Sequence, residues 1–140
     1  TITQHDAETR AVPPRYDAAK IALTFADRQD LYARIDRRVD IMMQQGLLDE
    51  VRALLAAGIP ADCTAMQAIG YKEAVAAVRG EATAQEAADA IRLASRQYAK
   101  RQLTWLRRDA QLFWLRHEKT PDMDLACRRS TQFLAGRGIE

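Results

Sequence analysis

Apolar residues recur along most of this chain at steps of three and four, the period of a helix packed on one side. Over residues 28–45, Leu31, Ile35, Val39, Met42 and Met43 fall on one face and predict an amphipathic helix. Asp27 stands where an N-cap acceptor is needed, and Gly46 where the helix must stop or kink. Residues 49–57 resume the pattern with Val51, Leu54 and Leu55 inward, and Gly58 closes it. A loop begins at Ile59-Pro60. A third helix opens at Cys63 or Thr64 and runs through Met66, Ile69, Val75 and Val78 to Gly80. Thr83, with Glu86 three residues on, has capping-box spacing and starts the longest helix, over about residues 84–108. Asp109-Ala110 interrupts it, and after Pro121 one more short amphipathic helix is expected.

Two segments break the helical rhythm. Lys20-Ile21-Ala22-Leu23-Thr24-Phe25 and Leu112-Phe113-Trp114-Leu115 are short apolar runs of strand type. A strand of this length cannot satisfy its own backbone and needs a neighbour. Strand, helices, strand is the order of two parallel strands joined by a helical excursion at the edge of an α/β sheet. The expected fold is therefore mostly α with two short strands, and the rest of the sheet is expected upstream. Residues 1–20, polar and carrying Pro13-Pro14, read as an extended connector.

Composition narrows the function more than the fold. With 48% apolar residues, 140 residues make one modest core. The net charge of +2 is too small to argue for nucleic acid globally, so any such argument must be local. Cys63 and Cys127 are far apart, and with only His5 and His117 beside them no zinc pattern can be assembled. The cysteines read as reduced and the compartment as cytoplasmic. No run of about 18 apolar residues occurs, so no membrane partner is expected. The polar N-terminus is not a signal peptide, and it has no initiator Met, as in a piece of a longer chain. Neither a G-x-x-x-x-G-K-[ST] nor a G-x-G-x-x-G loop is present, and nothing identifies a general base.

Three stretches carry candidate chemistry. Between residues 92 and 108 stand six cations, Arg92, Arg96, Lys100, Arg101, Arg107 and Arg108, without a carboxylate. Arg92, Arg96 and Lys100 follow at steps of four, where like charges repel, so an anionic partner is expected: acidic side chains or phosphates. Tyr98 and Trp105 are interleaved, and Gln102 and Thr104 add neutral donors, a mixture that suits RNA. The plainer reading is a solvated face with Trp105 and Leu106 in the core. The second stretch is Gln67-Ala68-Ile69-Gly70-Tyr71-Lys72-Glu73, where Gly70 interrupts a helical pattern at a cost of about 1 kcal/mol relative to Ala. A ligand or backbone approaching closely would explain it, and so would a helix crossing that needs a small residue. The third is Arg28, Arg34, Arg37 and Arg38 on the first helix, of which Arg34 and Arg38 stand at i,i+4 beside the apolar stripe. They are either surface ion pairs with Asp30 and Asp36, worth little, or a pair that binds a diphosphate.

Taken together these stretches resemble the tRNA dimethylallyltransferase (isopentenyltransferase) family. The matching residues are Leu31-Tyr32, Arg34-Ile35, Arg38-Val39-Asp40 and Met42, then Gly46-Leu47 with Glu50-Val51. QAIGYKE at 67–73 and YAKRQLTWLR at 98–107 follow in order. The resemblance covers residues 17–115. It implies the C-terminal part of a P-loop-type three-layer α/β fold whose N-terminal half is absent, with that half's phosphate loop and catalytic aspartate. It also implies transfer of a dimethylallyl group from its diphosphate to N6 of the adenosine 3′ of the anticodon, with Mg2+ as cofactor and its ligands elsewhere. Partners would be the tRNA anticodon arm and, through the missing half, dimethylallyl diphosphate, in an enzyme monomeric when intact. By the resemblance Gln67, Ala68, Ile69, Gly70, Tyr71, Lys72, Lys100, Arg101, Gln102, Leu103, Thr104, Trp105, Leu106 and Arg107 contact tRNA. Arg34 and Arg38 would point toward a diphosphate channel, and no catalytic residue lies in the segment. Residues 1–19 would be the connector from a helical insertion, 20–116 the core part with the tRNA-binding helices, and 117–140 a C-terminal tail. The segment alone should be inactive. A helical RNA-binding module without catalysis is the alternative. A scaffold pairing with an acidic protein and a branch acting on free nucleotides are further ones.

Overall fold

The computed structural model describes residue 3 and residues 16–139; the expected connector over residues 1–19 lies almost wholly outside the described residues. The two apolar runs form strands β1 (Ile21–Phe25) and β2 (Phe113–His117), paired parallel with Ile21 opposite Phe113 and Phe25 opposite His117. The second strand starts and ends slightly later than the sequence pattern, because Leu112 donates its amide to the Asp109 carbonyl in the turn that precedes it. A 2.7 Å ion pair from Lys20 Nζ to Asp109 ties the start of β1 to that turn, and the hydrogen bond from Lys20 holds the Asp109 carboxyl below its ordinary pKa.

Between the strands run four helices: α1 (Arg28–Gln44), α2 (Leu47–Ala56), α3 (Tyr71–Val78) and α4 (Ala84–Leu106). Their starts follow the local chemistry. The Asp27 carboxylate accepts from Gln29 N at 2.8 Å at the head of α1. At the head of α4, Thr83 N donates to Glu86 and Glu86 N to Thr83 Oγ1, the reciprocal pair of a capping box. After β2, α5 (Met123–Ala135) begins at Asp122, whose side chain accepts from Leu125 N, and packs back on β2 through Phe113 and Phe133, stacked at 4.5 Å. The tail expected over residues 117–140 thus holds a packed helix.

The expected third helix is broken. Residues Thr64–Gln67 form one 3-10 turn, Ala68 is extended, and α3 starts afresh after Gly70. Gly70 has φ +106°, outside the range of an L side chain in a helix, and its N–H donates to Glu73 at 2.8 Å. It is therefore the N-cap of α3 and not a glycine inside a helix. The core lies among α1–α4, around Val39, Val51, Met66, Ala74 and Ile91. Burying each of the larger ones is worth roughly 1.5–3 kcal/mol.

Candidate nucleic-acid interface

The pair Arg34 and Arg38, the start of the QAIGYKE stretch and Tyr98 of the basic helix meet around one groove, which none of that helix's six cations lines. Helix α1 lays Arg34 and Arg38 along its rim, and the break before α3 brings Gln67, Ala68 and Ile69 to the opposite wall. Helix α4 closes the third side with Ser95 and Tyr98. The floor is apolar, from Leu31, Ile35, Val39, Met42 and Ile91, and the groove encloses about 770 Å3. Arg34 lies over the Phe25 ring at 6.0 Å. Gln67 donates from Nε2 to the Ala61 carbonyl at 3.0 Å, which orients its amide and leaves its own oxygen toward other donors.

Not every residue of the QAIGYKE stretch faces this groove. Lys72 lies around a separate recess with Asp62 and Arg79. The Tyr71 hydroxyl donates to Glu50 at 2.6 Å, joining α3 to α2, and this bond to a carboxylate raises the phenol's pKa above its usual value.

The basic helix α4 divides into two halves. Its first two cations are neutralised from within the chain: Arg92 by Asp40 and Asp89, and Arg96 by Asp36 through two hydrogen bonds. Asp36 and Asp40 stand four apart on α1, as Arg92 and Arg96 do on α4, so the two pairs form a ladder between the helices. The bonds to aspartate raise both guanidinium pKa values further. Asp36 thus serves α4, and the expected pairing with the arginines of its own helix is not formed. The second half is different. Lys100, Arg101, Arg107 and Arg108 make no ion pair among the described residues. Lys100, Arg101, Thr104, Trp105 and Arg108 surround one shallow recess of about 460 Å3, with Arg101 5.8 Å from the Tyr98 ring. Trp105 is 69% exposed and Tyr98 49%, so neither ring is spent on the core. The plainer expectation of a buried Trp105 is overturned, because the residue lies exposed at the recess lined by Lys100, Arg101 and Arg108. Leu103 and Arg107 turn instead toward the sheet, Gln102 is exposed, and Leu106 is half-buried. The sequence reading missed Ser95 and Met42 as groove residues, because which faces of α1 and α4 meet is set by the packing of the helices.

The sequence profile of the IPP transferase family matches residues 1–109. The tRNA dimethylallyltransferase of Acetivibrio thermocellus is 37% identical over 138 residues, 99% of this chain and 44% of that protein. The tRNA dimethylallyltransferase of Bacillus subtilis is 42% identical over 98% of this chain and 43% of its own length. Among solved structures, the full-length tRNA isopentenylpyrophosphate transferase of Bacillus halodurans superposes with a TM-score of 0.81 at 39% identity, over 96% of this chain and 44% of that one. The chain therefore spans under half the length of the relatives it matches.

Proposed function

Because the chain belongs to the IPP transferase family, we propose that it is the RNA-gripping, sheet-completing part of a tRNA dimethylallyltransferase. The reaction moves a dimethylallyl group from dimethylallyl diphosphate to N6 of the adenosine 3′ of the anticodon. The observation that carries this reading is the convergence of Arg34, Arg38, Gln67, Ala68, Ile69 and Tyr98 on one groove, beside a helix end whose cations lack carboxylate partners.

An adenine amine is a neutral, weak nucleophile. The enzyme must hold it in line with the allylic carbon and stabilise the departing diphosphate. The apolar floor around Ile35, Val39 and Met42 suits a short branched hydrocarbon, and Arg34 and Arg38 at the rim are placed for diphosphate oxygens. An extruded base would meet Gln67, whose free amide oxygen accepts from an exocyclic amine. Lys100 and Arg101 take backbone phosphates of the anticodon arm, and Trp105 offers a face for stacking.

Mg2+ does not fit this donor set: no three His, Cys, Asp or Glu side chains gather among the described residues, and the groove rim is arginine. No step is routed through the metal on these residues. Among the described residues the groove wall also carries no carboxylate or histidine to take the amine's proton.

The Lys100→Ala/Arg101→Ala double variant tests the reading. It should weaken binding of a tRNA anticodon arm by about 1–3 kcal/mol. The log–log salt slope should fall by somewhat under one per lost contact. Unchanged affinity and slope would remove this helix from the RNA interface. Preference for AMP over tRNA would point to the free-nucleotide branch.

A further inference from the structure

We propose that Arg28, Arg107 and Arg116 together form an anion pocket that holds a phosphate group. The three come from different elements: the first residue of α1, the residue that caps the end of α4, and β2. They converge on a recess of about 240 Å3 beyond Thr24 and Phe25, at the carboxyl end of the sheet. Strands β1 and β2 are parallel, so their carboxyl ends open on the same side. Outside those ends is where open α/β sheets bind ligands.

Like the recess around Lys100, Arg101 and Arg108, this one gathers unpaired cations, but here they come from three separate elements. Its wall includes three guanidinium groups and, among the described residues, no carboxylate. All three arginines are exposed, and none makes an ion pair among the described residues. Arg52, Arg92, Arg96 and Arg137, by contrast, each have an aspartate. Of the acids close to them in sequence, Asp27 caps Gln29 N and Asp109 pairs with Lys20. Three like charges around one hollow repel, and a bound anion relieves that repulsion while accepting several charge-assisted hydrogen bonds. The recess is smaller than the roughly 300–1,000 Å3 that encloses a drug-sized ligand. That size suits a phosphate or diphosphate better than a nucleoside.

The pocket lies on the sheet side of α4, next to the apolar groove with which it shares Leu31, and Arg116 lies outside the stretches that carry the transferase reading. It rests on that reading only for the source of the phosphate: the diphosphate of the donor or the backbone of the RNA.

The test compares the full-length protein with its Arg28→Gln/Arg116→Gln double variant, using two probes. Calorimetry measures inorganic pyrophosphate. Fluorescence anisotropy measures a synthetic anticodon-arm RNA over a salt series. We expect about tenfold weaker binding of one probe, with the melting midpoint unchanged because both side chains are exposed and unpaired. Loss confined to pyrophosphate assigns the pocket to the diphosphate. Loss on RNA, with a shallower salt slope, assigns it to the backbone. The Arg28→Lys/Arg116→Lys variant should recover part of the loss. Should the double variant lower the melting midpoint, the two single Gln variants are read in the same way. Wild-type affinity for both probes overturns the proposal. If the unaltered protein holds pyrophosphate through these arginines but ignores the RNA, the pocket stands and the RNA-gripping role falls.

Discussion

At the scale of single residues, Gly70 and Tyr71 do what their neighbours in the sequence cannot. Gly70 holds φ +106° where the 3-10 turn hands over to α3, and a Cβ there would meet Met42 Cε at 3.5 Å. The contact is mild and its partner flexible, so backbone strain decides the outcome. Gly70→Ala should cost roughly 1–3 kcal/mol, read as a lower urea midpoint with an unchanged slope. A midpoint equal to wild type would mean the break tolerates a side chain. Periodicity could not foresee this, since Met66, Ile69 and Val75 keep helical spacing through a segment whose backbone leaves the helix. Tyr71 supplies a test in pH. Its hydroxyl donates to Glu50, so the neutral phenol is favoured and the folded pKa lies above the ordinary value of 10.0. The stability it adds is therefore complete below that value and is lost as pH rises through the higher folded pKa. Titrating the phenolate by ultraviolet absorbance, Tyr71→Phe should delete the late part of the curve. A difference confined to the early part would contradict the bond.

At the scale of elements, caps and strands were legible because their signals are local: Asp27 with Gln29, Thr83 with Glu86, and two short apolar runs. The ladder between α1 and α4 was not, because Asp40 and Asp36 lie 52 and 60 residues before the arginines they bind. It changes what the basic helix can do. A run of six cations looked like one surface, yet two are neutralised by aspartates and only the later ones remain for an anion. The two halves should respond differently to mutation. Arg96→Ala should leave the salt slope of RNA binding as it is and lower stability, with a coupling to Asp36 of about 0.2–1 kcal/mol in a double-mutant cycle. Lys100→Ala should lower the slope and leave stability nearly alone. Equal effects of the two substitutions on the slope would mean that the ladder opens when RNA binds.

For the molecule as a whole, the groove and the sheet point the same way. Among the described residues the sheet holds two strands, and α5 packs on β2. Leu115 is 3% exposed, while Leu23, its partner in the register, is 56% exposed. The groove likewise has an apolar floor and two arginines, and among the described residues no carboxylate lines it to take a proton. On the function proposed above, binding and chemistry are separable: arginines and an apolar floor line the groove, and among the described residues no carboxylate or histidine does. The sequence made this division readable in outline, through a missing phosphate loop and an intact basic helix. The convergence of Arg34, Arg38 and Gln67 needed the fold, because residues 33 apart meet only once α1 and the break before Gly70 are in place. The 140-residue chain by itself should therefore bind a tRNA anticodon arm with salt-dependent affinity and transfer no labelled dimethylallyl group to it. Incorporation of label by this chain alone would mean that a proton acceptor sits among the residues of the groove after all, with Tyr98 and Ser95 the first to substitute.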